Sequence, residues 1–267
     1  MNIFLYTILF IMGTIFGSFL TLATYRIPLN QDITHKHSYC PKCNHLLSFT
    51  DMIPLLSYIF LGGKCRYCKT KISPRYFIIE ILSGLSFIFL GYAIGFNIDN
   101  LTINKIVELW IGILYIVFIF LIAEIDKEHR YIDDRVLIYG FTISMLNMIF
   151  QYLTDKDFNI NRLIIYLFVI AIMIFINIIQ SKKGKKHEYT INLVLLCIII
   201  NLFIYEIPTI IMIIFTLLII AIKLLINKII NKGKEYNGKM PIALYLSIAN
   251  ILTLIIISFR VGGIIWK

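Results

Sequence analysis

Long apolar stretches separated by short polar segments dominate this chain. Eight of these stretches come close to or reach the roughly 20 residues that a helix needs to cross a hydrocarbon layer of about 30 Å. Their apolar residues are continuous rather than alternating, which favours helices over strands. The pattern predicts transmembrane helices at residues 3–22, 77–96, 106–125, 136–153, 163–179, 191–204, 207–226 and 240–259.

The composition supports a membrane protein. Hydrophobic residues make up 59% of the 267 positions, and the mean hydropathy is +0.85. Charged residues account for 15%, compared with roughly 25% in a soluble domain. We therefore predict an all-α, polytopic membrane protein that is embedded in a lipid bilayer.

The distribution of basic residues orients the predicted helices. The net charge is +10, and 20 of the 25 lysines and arginines lie in alternate polar segments, beginning with the segment after the first apolar stretch. Basic loops remain in the cytoplasm, so these segments are predicted to be cytoplasmic and both termini to lie outside, in a multi-pass protein of the cytoplasmic membrane. Because membrane orientation accounts for the positive charge, we predict no nucleic-acid partner.

Four cysteines lie in the longest polar segment, in two C-x-x-C pairs separated by 21 residues: Cys40, Cys43, Cys65 and Cys68. This spacing is close to that of a four-thiolate zinc site. The segment, residues 26–75, is too short to build its own core, and disulfides do not persist in a reducing cytoplasm. We predict a small insertion held together by structural zinc; two separate thiol pairs without a metal are the alternative.

Several motifs around the cysteines resemble those of the type IV prepilin peptidases. Residues 17–28, GSFLTLATYRIP, are similar to the family segment GSFLNVVIYRLP. The family patterns CPxC, W-x-D-x-IPLLSY, GxCRxC and ISxRYP, followed by a glutamate, are matched in order by residues 39–43, 49–58, 63–68, 72–76 and Glu80. The resemblance is almost continuous over residues 12–85.

The resemblance implies a function and a division of the chain. Members of the family cleave basic leaders from type IV prepilins and pseudopilins at the cytoplasmic face, in type IV pilus and protein secretion systems. Many also methylate the new N-terminus with S-adenosylmethionine. The implied parts are a first transmembrane helix (1–25), a cytoplasmic zinc-binding loop of the methylating half (26–75) and an aspartic peptidase-like helical bundle (76–267).

The family's protease uses two aspartates, one to deprotonate water and one to protonate the carbonyl of the scissile bond. The first lies in an ID-x5-IPD pattern, which Asp126 matches here. A solvated charge at a helix end is the alternative interpretation of Asp126. Asp133 and Asp134, which follow in the same pattern, are expected to cap the helix that starts near Val136.

The second family motif, GxGD-x-K, is poorly kept. Residues 185–190 are KKHEYT, so that Glu188 occupies the aspartate position and neither glycine is in register. We predict Asp126 and Glu188 as the catalytic pair, with their carboxyls within the reach of one water molecule. The alternative for Glu188 is a charge favoured by the helix dipole. The rival functions are a methyltransferase without protease activity and a non-catalytic prepilin-binding or assembly factor.

Overall fold

The computed structural model describes residues 2–33, 37–98, 101–154, 188–204, 206–230 and 240–261, with seven isolated positions between 164 and 178. These residues are almost entirely helical, and the extended pairing among them is limited to two isolated β-bridges. The described α-helices are α1 (Asn2–Arg26), α2 (Leu56–Phe60), α3 (Pro74–Ala93), α4 (Ile103–His129), α5 (Asp134–Thr154), α6 (Glu188–Ile204), α7 (Glu206–Ile230) and α8 (Ile242–Val261), and a short 3-10 helix at Phe49–Asp51 precedes α2.

Seven of the eight predicted apolar stretches coincide with described helices. The remaining one, at 163–179, lies outside the described residues apart from the isolated positions. By length and composition, α1, α3, α4, α5 and residues 208–226 of α7 can each cross a membrane, and α6 and α8 contain shorter apolar runs. The all-α polytopic fold is confirmed, whereas the number of eight spans stays a prediction.

The chain divides into two compact units, Met1–Thr102 and Ile103–Lys267. The first contains α1, the cysteine segment, α2 and α3, and the second contains α4 to α8. The predicted boundaries after residues 25 and 75 stay predictions.

In the first unit, α1 and α3 pack closely because small residues line their contact. A Cβ atom added at Gly13 would lie 2.7 Å from the Cα atom of Gly84, and one at Gly17 would lie 2.8 Å from the Cα atom of Glu80. Small residues commonly allow membrane helices to approach in this way. Near the ends of the two helices, Arg75 Nη2 donates to Thr24 Oγ1 at 3.2 Å. This bond holds the end of α1 beside the start of α3, and the cysteine segment connects these two helix ends.

In the second unit, α4 forms the core and packs against α5 and α8. The Tyr115 ring on α4 stacks on the Phe203 ring of α6, with centroids 3.7 Å apart. Two buried polar side chains of α5 bond to the backbone of α6: Ser144 Oγ donates to the Ile199 carbonyl, and Asn147 Nδ2 donates to the Phe203 carbonyl. Such bonds hold helices together where the apolar surroundings offer few other partners.

The acids after α4 fix the start of α5. The Asp133 carboxylate accepts hydrogen bonds from the backbone N–H and the guanidinium of Arg135, at 2.9 and 2.7 Å. The prediction that this position caps α5 is confirmed. Asp134 lies in the first turn of α5 and accepts a 2.7 Å bond from Asn192 Nδ2 on α6, which also donates to the Ile132 carbonyl.

Candidate functional site

The four cysteines predicted as metal ligands meet in one cluster between α1 and α3. Their Sγ atoms all lie within 4.8 Å of one another, and those of Cys40 and Cys68 are 3.8 Å apart. A tetrahedral zinc ion with Zn–S bonds of about 2.3 Å requires sulfur atoms about 3.8 Å apart. The cluster therefore has the donor set and the size for a metal ion, and four thiolates leave no coordination position open for catalysis.

The two cysteine pairs lie in two backbone turns of the same conformation. The N–H of Asn44 donates to the Cys40 carbonyl at 2.8 Å, and the N–H of Lys69 donates to the Cys65 carbonyl at 3.0 Å. Asn44 and Lys69 both have positive φ angles, 55° and 59°. The β-bridges that flank the turns pair Tyr39 with Leu46 and Lys64 with Lys71. Each turn points its two thiols to the same side, as a shared metal requires.

Local hydrogen bonds favour the thiolate form of two of these cysteines. The backbone N–H groups of Cys43 and Lys42 lower the pKa of Cys40. The hydroxyl and backbone of Thr70 lower the pKa of Cys68 to about 6. The thiolate is the form of cysteine that binds metals, so both effects favour metal binding at these two positions. At Cys43 the backbone of His45 acts to lower the pKa, but burial and the thiols of Cys68 and Cys40 outweigh it and raise this pKa to about 11.

Asp51 connects the two cysteine turns, a role that was not predicted. Its carboxylate accepts bonds from Ser48, and also from Arg66 Nε and the Tyr67 hydroxyl, which belong to the second C-x-x-C pair. The Tyr67 ring lies on the His45 ring of the first turn, with centroids 3.5 Å apart. Burial acts to raise the pKa of Asp51, but the hydrogen bonds outweigh it and lower this pKa to about 2. The available sequence signals were its place as the aspartate of the W-x-D-x-IPLLSY pattern and its position as the lone acid between the two pairs.

In the second unit, Asp126 lies in the last turn of α4, where its side chain meets α6 and α8. Asp126 is fully buried, at 0% exposure, so the alternative of a solvated charge is wrong. The Tyr189 hydroxyl donates to Oδ1 at 3.0 Å, and the Leu244 N–H donates to Oδ2 at 3.0 Å. The Tyr189 oxygen itself accepts the Ile242 N–H at 3.0 Å. Since Ile242 and Leu244 lie in the first turn of α8, whose N–H groups lack helical partners, the carboxyl and the hydroxyl together satisfy this helix end.

Glu188, the second predicted acid, is the first residue of α6, but its side chain lies outside the described residues. Its expected approach to Asp126 therefore stays a prediction. The next residue, Tyr189, contacts Asp126 directly, and sequence reasoning missed it. Its place in the stretch that resembles GxGD-x-K was the only signal.

Residues 11–94 match the model of the bacterial peptidase A24 N-terminal domain family. The chain is 37% identical to a prepilin leader peptidase/N-methyltransferase of Myxococcus xanthus over 108 residues, which are 40% of this chain and 32% of that protein. It is 34% identical over 133 residues to a protein of the same name from Bacillus subtilis, covering 50% of each chain. With the one from Vibrio cholerae it shares 43% identity over 100 residues, which are 34% of this chain and 38% of the relative. The matches thus span about a third to a half of these relatives, and no solved structure matches the chain.

Proposed function

We propose that this chain, which belongs to the prepilin leader peptidase/N-methyltransferase family, cleaves basic leaders from type IV prepilins or pseudopilins at the cytoplasmic face of the membrane. The observation that carries the proposal is the match of residues 11–94 to the family, together with relatives of one name. The buried carboxyl of Asp126 supports it, because ionisable groups inside membrane helices are generally functional.

The proposed chemistry is that of an aspartic endopeptidase. One carboxylate takes a proton from water while a second acid donates a proton to the carbonyl of the scissile bond. Asp126 is the first of these groups, and Glu188 is our candidate for the second. Tyr189 holds Asp126 Oδ1 in place and thereby acts as a positioning residue for the reaction.

The cysteine segment has a separate role in this proposal. Cys40, Cys43, Cys65 and Cys68 hold a structural zinc ion, and the segment at 26–75 belongs to a half that methylates the new N-terminus with S-adenosylmethionine. Residues 1–25 supply the first membrane helix, and residues 76–267 supply the peptidase-like bundle.

A second candidate is a protein that methylates or binds prepilins without cleaving them. Two observations favour it. The family model matches residues 11–94, which contain the cysteine segment and precede Asp126. In addition, both oxygens of the Asp126 carboxyl already have hydrogen-bond donors within the protein.

Cleavage of a prepilin encoded in the same genome tests the proposal. The prepilin is co-expressed with this chain in a host that lacks a prepilin peptidase, and its size and N-terminus are determined by mass spectrometry. Conversion to the mature form supports peptidase activity. A prepilin that keeps its leader in the presence of the wild-type chain contradicts it.

Removing the Tyr189 hydroxyl should slow cleavage. In Tyr189→Phe, Asp126 loses one donor, and we expect kcat to fall about tenfold with KM unchanged, because the bond orients the carboxyl rather than the substrate. The matched control is Tyr139→Phe, whose hydroxyl donates to the Leu114 carbonyl at 3.2 Å in the same unit. Steady-state cleavage rates in detergent measure both variants. Equal kcat values for Tyr189→Phe and wild type would show that Tyr189 has no positioning role in the reaction.

The proposed topology places the cysteine segment in the cytoplasm and both termini outside. We expect a reporter fused after Thr50 and one fused at the C-terminus to report opposite sides, because the basic residues are concentrated on one side. Paired alkaline phosphatase and green fluorescent protein fusions measure the side directly. Finding both positions on the same side would show that the predicted number of spans is wrong, and finding Thr50 outside would show that the predicted orientation is wrong.

A further inference from the structure

The short helix α2 carries an apolar face that the described residues leave half or more exposed. Leu56, Ile59 and Phe60 are 50%, 58% and 82% exposed. Ile59 and Phe60 follow Leu56 by three and four residues, so all three lie on one side of the helix. Three large apolar side chains on a single turn and a half of helix form a patch of the kind that marks a binding surface.

Contacts with α3 fix the height of α2 along the membrane-spanning helices. The Leu55 N–H, just before α2, donates to Glu80 Oε2 at 2.7 Å. The Tyr58 ring stacks on the Phe77 ring of α3, with centroids 5.1 Å apart. Glu80 lies six residues beyond the start of α3 at Pro74, which is about 9 Å along the helix axis.

These contacts place α2 beside the apolar part of α3 rather than beyond its end. The apolar stretch begins at Phe77, whose ring contacts Tyr58 of α2, and the backbone of Glu80 lies about 5 Å inside this stretch. Helices that lie in a membrane interface bury their apolar face about 5–10 Å into the boundary between headgroups and acyl chains. The depth of α2 therefore matches that of an interfacial helix.

The nearby charges suit the same partner. Lys64, Lys69 and Lys71 are exposed around the second cysteine turn, which follows α2 directly. Basic residues next to an apolar face are attracted to the anionic headgroups of a bilayer.

We propose that α2 is an interfacial helix whose face of Leu56, Ile59 and Phe60 enters the membrane leaflet at this end of α1 and α3. The cysteine segment is then anchored to the lipid at α2 as well as at its two ends. This surface would hold the metal cluster at a fixed height beside the bilayer. The inference does not depend on the proposed peptidase activity.

Quenching of tryptophan fluorescence by brominated lipids tests the proposal in the full-length protein. Phe60→Trp is made in a Trp110→Phe/Trp266→Phe background, and the protein is reconstituted into phosphatidylcholine vesicles with brominated acyl chains. The matched control is Leu46→Trp in the same background, because Leu46 is 61% exposed on the first cysteine turn. Metal content verifies that the cysteine cluster is intact in each variant, and Ile59→Trp provides a second probe of the face.

We expect the brominated lipids to quench Phe60→Trp and Ile59→Trp at least threefold more strongly than Leu46→Trp. Bromines near the headgroups should quench more than bromines at the chain ends. Equal, weak quenching at all three positions would overturn the proposal. Weak quenching together with a blue shift of the tryptophan emission on addition of purified prepilin would show that the face binds a peptide. Weak quenching together with a blue shift that depends on protein concentration would show that the face binds a second copy of the chain. Either result would reject the proposal that the face enters the lipid.

Discussion

Asp126→Asn is expected to lower the rate of leader cleavage by at least about a thousandfold. An amide has nearly the same shape as the carboxyl and can still accept one of the two hydrogen bonds from Tyr189 and Leu244, but it cannot take up and release a proton. The helices that meet at Asp126 should therefore remain assembled while the chemistry is lost. Initial rates of cleavage of a purified prepilin measure the effect, and thermal unfolding in detergent verifies the fold.

Asp133→Asn is the matched control for this prediction. Asp133 is also buried, but its carboxylate is engaged by Arg135 at the start of α5. We expect this variant to lose stability while its cleavage rate stays close to that of the wild type. If Asp126→Asn cleaved as fast as Asp133→Asn, the catalytic role of Asp126 would be excluded.

Variants of Glu188 separate the proposed peptidase from its rivals. Glu188→Gln should abolish cleavage if Glu188 is the second acid. Glu188→Asp shortens the side chain by one methylene to the length that the family motif uses. A higher rate in this variant would identify side-chain length as the defect, and an unchanged rate would point to the missing glycines.

The parts of the fold that the sequence predicts are those determined by local patterns. The apolar stretches predicted the helices because every backbone group in lipid must be satisfied within its own segment. The cysteine cluster was predicted because each C-x-x-C pair forms within a single short turn. Asp133 was predicted as a cap for the same reason, since its partner Arg135 is only two residues away.

The contacts of Asp126 could not be predicted in this way. Tyr189 is 63 residues away from Asp126 in the sequence, and Leu244 is 118 residues away. Their meeting depends on how α4, α6 and α8 are rotated about their axes. These helices are apolar on nearly all sides, so the sequence does not reveal which side of each helix faces inward. A motif comparison directs attention to Glu188, whereas the packing brings Tyr189 to the carboxyl.

The cysteine segment has almost no apolar interior of its own. In the described part of residues 37–73, only Cys40 and Cys65 are buried. Many of the large apolar side chains of this part, including Leu46, Phe49 and Phe60, are exposed, and the others are only partly buried. The four sulfur atoms thus take the place that a hydrophobic core has in a larger domain, and we expect a metal bound by them to supply most of the energy that orders the segment.

Loss of the metal should therefore unfold residues 37–73 while the membrane helices stay intact. We expect about one equivalent of zinc in the purified protein, and much less in the Ser variants of Cys40, Cys43, Cys65 and Cys68. Structural zinc sites contribute about 10–16 kcal/mol to the folding of small modules, far more than this segment can gain from two buried residues. Trypsin should consequently cut after Lys42, Lys64 and Lys71 much faster once a chelator has removed the metal, and added zinc should restore resistance.

Cys197→Ser, in α6, is the matched control and should keep its zinc. A metal-free wild-type protein that resists trypsin as well as the metal-loaded form would show that the four thiols need no ion to hold the segment together.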